Sequence, residues 1–433
     1  MRKLIPSLLI AALCTPAGAQ AQDPGSRHSL EDLLRLARAE RNTLLSELRS
    51  EVQALLEKME SPTTRARPEK AQDLRKTLKK MGPSVAPLLL PGLRPGPDPS
   101  RGQRFRAAQI VQVLRELRSP SIGAELLTSA QRGDAQGRIN ALRVLGTYPH
   151  PERIISGVRE TFTGAKKEVK IAALLTLAQL RVPDLSDLLT EAFAQDEPDD
   201  IGKLLKGLAE IDRPAVQMCV AELVGSPRAR ALVTPLLEYY GTRGELLEED
   251  EHLVPLIQLA GHAAMEASEA IQILDTLSRH DVTVKGTAKK ALARLQESSQ
   301  LNLRESALIL LARSKDKGAR RDLLGGYDER VKFSPASTSA YSERGEIYYM
   351  IAEYQRAIKD YKEAISLQKG LVPKGDAHIG IARCYARLKR YSDAEEYLAA
   401  APVSMTTLRE LAGDPAFEAM LETKYRRAFH LVE

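Results

Sequence analysis

The feature that most constrains this chain is a pattern of small and aromatic residues that occurs twice near its C-terminal end. Gly345, Tyr348, Ala357, Tyr361 and Ala364 stand at offsets 0, 3, 12, 16 and 19, and Ala382, Tyr385, Ala394, Leu398 and Ala401 repeat those offsets 37 residues later. Small residues at Gly345 and Ala357, and again at Ala382 and Ala394, let two helices approach closely. Tyr348, Tyr361, Tyr385 and Leu398 fill the space between them. A hairpin of this kind carries an apolar stripe too wide to hide within itself, so neighbouring hairpins must stack on it. Strand signals are nearly absent from the rest of the chain, with no sustained alternation and no Asn-Gly turn.

The two-copy stretch, Thr338 to Pro402, resembles the tetratricopeptide repeat, whose period is about 34 residues. The three extra residues sit in Lys369–Gly375, where the proline that ends the repeat is displaced from Lys369 to Pro373. The resemblance implies that the first helix of each hairpin lines a groove. That maps to Ser342, Glu346, Tyr349 and Met350 in the first copy and to Asp376, Ile379, Arg383 and Arg387 in the second. The family subset that clamps a C-terminal carboxylate uses Lys, Asn and Arg at such positions. Ser342 and Glu346 do not match, so that mode is not expected. Tyr349, Met350, Arg383 and Arg387 would suit an amphipathic or extended peptide instead.

Upstream, Leu74–Leu90 runs as a helix, a Gly82-Pro83 corner and an apolar helix, which resembles a HEAT repeat. Ala107, Ala141 and Ala173 sit in similar helices, 34 and 32 residues apart, with Pro120 and Pro183 at corners. The HEAT-like stretch spans residues 68–326, after a flexible start at 20–28 and a long helix at 29–60. Gly325-Gly326, Pro335 and a Ser/Thr-rich run mark a boundary at Tyr327–Ser339, and nine of the thirteen tyrosines lie at or beyond Tyr341. That change in aromatic usage favours two repeat types joined end to end over one uniform array. Two repeats alone would leave an apolar end exposed, so helices at 405–433 are expected to close it, with Asp414-Pro415 as cap and first-turn proline. The fold class implied is all-α: a right-handed α-solenoid of HEAT-like hairpins, then a short tetratricopeptide array with C-terminal capping helices.

Residues 1–19 read as a signal peptide for export to the periplasm or outside a bacterial cell. Arg2 and Lys3 precede the apolar Leu4–Cys14, and Ala17-Gly18-Ala19 forms the cleavage site. The apolar run is too short for a membrane span of about 20 residues. Cys14 raises a lipid-anchor alternative, which Leu13 before it fits poorly. No integral membrane segment is expected after cleavage. The formal charge of +6 is spread among interspersed acids and bases, which gives no nucleic-acid footprint. Cys219 and Cys384 read as buried hydrophobes, so the mature chain has no disulfide framework and depends on its core. Leu45, Leu48, Val52, Leu55 and Met59 form a seam of about two heptads, short for a coiled coil and open to weak self-association through residues 29–60.

Nothing in the chain carries a recognisable catalytic or cofactor motif. The histidines are scattered, no cysteine lies near another, and no phosphate loop or nucleophile elbow occurs. His262, Glu266 and Glu269 would share one helix face, and Glu245 with Glu248–Glu251 forms an acidic run. Both patterns fit solvated residues, as do Lys166-Lys167 and Arg320-Arg321. No catalytic residue, metal ligand or cofactor is expected. The expected role is a non-enzymatic exported scaffold or adaptor for protein or peptide partners. An envelope chaperone or a HEAT-like lyase is the alternative.

Overall fold

The structure is a computed structural model, described for residues 30–96, 98–162, 165–368, 375–414 and 416–429. The leader at 1–19, the segment 20–28, Lys369, Pro373 and Pro415 lie outside the described residues. Every regular element among the described residues is helical, and the packed helix pairs are those of an α-helical repeat fold. The chain divides into two compact units between Glu125 and Leu126.

The first unit holds α1 (Leu30–Glu60), α2 (Pro68–Lys80) and α3 (Arg101–Leu117). Helix α1 packs on α2 and α3. Its buried stripe is Val52, Leu56 and Met59, while Leu48 and Leu55 are half-buried and Leu45 is 46% exposed. The heptad seam therefore gives way to a stripe of helical period facing the unit's own core. Gly102 of α3 comes so close to the end of α1 that an added Cβ would lie 2.9 Å from the Glu60 carbonyl oxygen, and Arg106 pairs with Glu60. Gly82 turns the chain with a φ of +83°, open to glycine without strain, and Pro83 starts the next turn.

Helix α4 (Gly123–Arg132) carries the division. The second unit continues with α5 (Ala135–Leu145), α6 (Ile155–Phe162), α7 (Lys167–Leu180), α8 (Leu185–Gln195), α9 (Pro198–Leu208), α10 (Pro214–Val224), α11 (Val233–Thr242) and α12 (Asp250–Ala260). Then come α13 (Ala267–Arg279), α14 (Gly286–Leu295), α15 (Leu301–Arg313), α16 (Lys317–Phe333), α17 (Thr338–Met350), α18 (Tyr354–Leu367), α19 (Asp376–Arg387) and α20 (Tyr391–Ala400). They form two layers. The odd-numbered helices from α5 to α19 each pack on the next odd-numbered one, and α8, α10, α12 and α14 pack likewise on the other side. Arginines fasten hairpin to hairpin at a matching spacing: Arg213 donates to the Gln179 carbonyl, Arg228 to Phe193 and Arg313 to Ser278, 34 or 35 residues back.

The corners keep the register. Asp281, Lys315, Ala352 and Lys389 all have positive φ, at spacings of 34, 37 and 37 residues. Beside them the N–H groups of Val282, Asp316, Glu353 and Arg390 bond back to the carbonyls of Leu277, Leu311, Tyr348 and Tyr385. This is the Schellman closure of a helix end. The 37-residue register thus reaches back one hairpin further than the two-copy pattern. In α15 and α16, Leu311 and Leu324 occupy the positions of Tyr348 and Tyr361 and are buried as they are.

One expectation needs correction. Helix α16 runs unbroken through Gly325-Gly326 to Phe333, so residues 327–333 are helical where a boundary was expected. Each glycine costs a helix about 1 kcal/mol relative to alanine, and burial of Leu323, Leu324 and Val331 against the neighbouring helices outweighs that. The C-terminal closure expected at 405–433 is made of short helical segments, Met405–Glu410, Leu411–Gly413, Glu418–Leu421 and Lys424–Phe429. Their anchor is a plug of Phe417, Met420 and Phe429, all at zero exposure, with the two phenyl rings edge to face at 5.2 Å.

Candidate binding groove

The ten residues of the repeated pattern are all buried. Tyr361 shows what they accomplish. Its ring lies between two glycines: a Cβ on Gly345 would meet it at 3.1 Å, and a Cβ on Gly380 of the next hairpin at 2.5 Å. Three helices can close on one aromatic ring only because these backbones carry no side chain there. The phenol then reaches past the packing and donates to Glu346 Oε2 at 2.6 Å. Burial, with the Glu346 carboxylate beside it, pushes that phenol well above its ordinary pKa, so it stays a donor. Arg344 ties the same hairpin to its predecessor. It donates twice to the buried Asp360, at 2.7 and 2.9 Å, and once to Asp328 of α16, at 3.0 Å. The paired Asp360 carboxylate holds the guanidinium charged.

A groove of about 980 Å³ opens along the odd-numbered layer, lined by α13, α15, α17 and α19 and walled by residues 407–414. Of the eight expected groove residues, Glu346, Tyr349, Met350, Arg383 and Arg387 line it. The other three do not. Ser342 is half-buried outside the cavity, Asp376 is exposed in the first turn of α19, and Ile379 is packed at 8% exposure. The pattern places α19 correctly, but Ile379 falls on the side that faces the neighbouring helices.

The residue that sequence reasoning misses is Asp281. It ends α13 in a left-handed conformation, and its carboxylate accepts from both Arg313 of α15 and Arg387 of α19, the latter at 2.8 Å across 106 residues. Arg313, only 8% exposed, also donates to the carbonyls of Ser278 and Met350 at 3.1 and 2.9 Å, so one side chain fastens the ends of α13, α15 and α17. Burial lowers its pKa, but a guanidinium remains charged. Arg383 bonds Asp414 Oδ2 at 2.5 Å, while Asp414 Oδ1 accepts from the backbone N–H of Ala416. Both expected groove arginines are therefore already paired within the chain. Beyond the Asp281–Arg387 pair the opening continues into a cavity of about 840 Å³ that includes His280 and Glu418.

The other candidates settle differently. His262 lies in the turn before α13, where its Nδ1 accepts from the Ala264 N–H, and Glu266 is the residue ahead of that helix, so the three residues with Glu269 share no helix face. Glu249 precedes α12, and Asp250 and Glu251 occupy its first turn, where the helix dipole favours them. Arg320 is not a free surface cation: it bonds both Glu353 oxygens, at 2.6 and 3.2 Å. Cys219 and Cys384 are buried, and burial pushes the Cys384 thiol up to about 12. No helix among the described residues is long and apolar enough to cross a membrane.

A comparison with curated proteins finds no significant match. The tetratricopeptide repeat family, whose members are typically non-catalytic modules that mediate protein–protein interaction, matches residues 352–406, the span from the Ala352 corner through α18, α19 and α20 into the closing turn.

Proposed function

We propose that this chain is a non-enzymatic, exported scaffold or adaptor of a bacterial cell envelope, and that it holds a protein segment in the groove of its odd-numbered layer. The observation that carries this is the convergence of five expected groove residues on one 980 Å³ opening within an array whose C-terminal part matches an interaction repeat. Export is supported by the Arg2-Lys3, Leu4–Cys14 and Ala17–Ala19 pattern. The HEAT-like nature of residues 68–326 is supported by the Gly82-Pro83 corner and by arginine-to-carbonyl ties near a 34-residue spacing.

A photo-crosslinking amino acid at Met350, in the groove, is compared in the native cell with one at Lys359, exposed on α18. Adducts from Met350 and none from Lys359 are expected; equal adducts from both, or none from Met350, would defeat the groove assignment. N-terminal sequencing of the recovered protein should begin near Gln20, and an intact Met1 would defeat the export assignment.

A further inference from the structure

Three half-buried carboxylates face this groove with hydroxyl groups as their bonded partners. Asp275 on α13 accepts from Ser306 at 3.4 Å, Glu305 on α15 from Tyr327, and Glu346 on α17 from Tyr361 at 2.6 Å. Among the described residues none of the three forms an ion pair. Among the described residues the groove lining contains no lysine, and three of its four arginines are committed to Asp281, Asp414 or backbone carbonyls; the fourth, Arg279, lies one turn along α13 from Asp275 and offsets part of the burial of that carboxylate without pairing with it. A carboxylate taken partly out of water and met by a neutral hydroxyl keeps most of its desolvation cost and its remaining acceptor capacity. Burial accordingly raises the Asp275 pKa. A cation entering beside such a group recovers a charge-assisted hydrogen bond.

The three carboxylates lie on successive helices of one layer and form a row. They do not converge on a point: among the described residues no three acidic, His or Cys side chains are close enough to hold one metal ion. The same opening is lined by Ile309, Ile347, Met350 and the paired rings of Tyr349 and Tyr354, 5.8 Å apart. Such rings accept an apolar side chain or the face of a cation. A row of separated charges beside an apolar wall is the complement of an extended chain, whose side chains are spaced, and is a poor complement of a compact ion.

We propose that the groove takes an extended segment of a partner protein carrying two or three lysine or arginine side chains separated by apolar residues. This rests on the groove assignment above and adds the charge of the partner.

The test uses the full chain and two fluorescein-labelled ten-residue peptides, one alternating lysine and leucine and one alternating glutamate and leucine. Anisotropy should show binding of the lysine peptide, weaker at higher salt, and none of the glutamate peptide. Asp275→Asn, Glu305→Gln and Glu346→Gln should each weaken the lysine peptide about two- to threefold, and the triple variant roughly tenfold. The single variants keep the test decisive if the triple variant fails to fold. Equal binding of the glutamate peptide overturns the proposal, as does unchanged binding by all variants. Displacement of the lysine peptide by spermidine at equal concentration also overturns it, because the apolar wall would then play no part. If Met350 crosslinks a partner while the lysine peptide does not bind, the charge assignment fails and the groove assignment stands.

Discussion

Gly380→Ala should destabilise the protein, against the ordinary preference of a helix for alanine. At an exposed helical site this change stabilises by about 1 kcal/mol. At Gly380 the new Cβ would lie 2.5 Å from Tyr361 Cζ and 2.7 and 2.9 Å from its two Cε atoms. The ring has little room to retreat, because even a Cβ built on Gly345 would stand 3.1 Å from it and the phenol is tied to Glu346. Overpacking of this kind costs about 1–3 kcal/mol, so the clash outweighs the propensity gain and a net loss of roughly 1–2 kcal/mol is expected. Tyr361→Leu removes the obstructing atoms at its own cost, and in that background Gly380→Ala should become neutral or stabilising. The coupling between the two sites should therefore exceed about 1 kcal/mol. Urea unfolding followed by tyrosine fluorescence suits the measurement, since the chain has no tryptophan and nine of its thirteen tyrosines lie at or beyond Tyr341. Wild-type stability in Gly380→Ala, or the same loss with and without Tyr361, would refute the sandwiched-ring account.

Four further outcomes follow from the same geometry. Tyr361→Phe keeps the ring and deletes the donor to Glu346, so stability should fall by only about 0.5–1.5 kcal/mol, whereas Tyr361→Leu should fall further in the same urea titration. Arg313→Met should cost about 3 kcal/mol, because two carbonyls and Asp281 lose a buried charged donor at once; a loss below 0.5 kcal/mol would deny its role as a fastener. Burial holds the His252 imidazole, bonded to Tyr240 at 2.9 Å, below the ordinary value of 6.5, so the folded state binds fewer protons than the unfolded chain. Its stabilising effect is intact above pH 7 and is lost as pH falls from 6.5 through the lower folded-state value, which urea midpoints at pH 7.5 and 5.5 should show; His252→Gln should reduce that difference and leave the share of His280, which burial also holds low. Cys384, buried and pushed up to about 12, should resist iodoacetamide at pH 8 until urea unfolds the chain, as mass spectrometry would register.

The two hairpins between Thr338 and Ala400 were legible because their requirements are local. A close helix crossing needs Gly or Ala at fixed offsets, and those residues leave a pattern. The hairpin α15–α16 shares the register but not the pattern. Leu308 and Arg320 stand where Gly345 and Ala357 would demand small residues, and Arg320 uses its position to reach Glu353. The glycine pair at 325–326 suggests a break on propensity alone, yet a helix buried along one side tolerates it. Five groove residues followed from helix phase, while Ile379 did not, because phase alone does not say how far the stripe facing the next helix extends. Asp281 was invisible for a different reason: its partners stand 32 and 106 residues away, and no sequence spacing announces such a pairing.

Asp281 also explains why side chains from separate hairpins form one surface. In a stacked array each hairpin touches only its neighbours, so its side chains could drift independently. Here the corner of α13 is bonded to the end of α19, three hairpins on, and Arg313 bridges the intervening helix ends through their carbonyls. The positive charge on the two expected groove arginines is spent on this closure. Apart from Arg279, what the closure leaves facing the opening is chiefly acidic, aromatic and aliphatic, so the residues that build the groove and those that would meet a ligand are different sets, although they share the same helix faces.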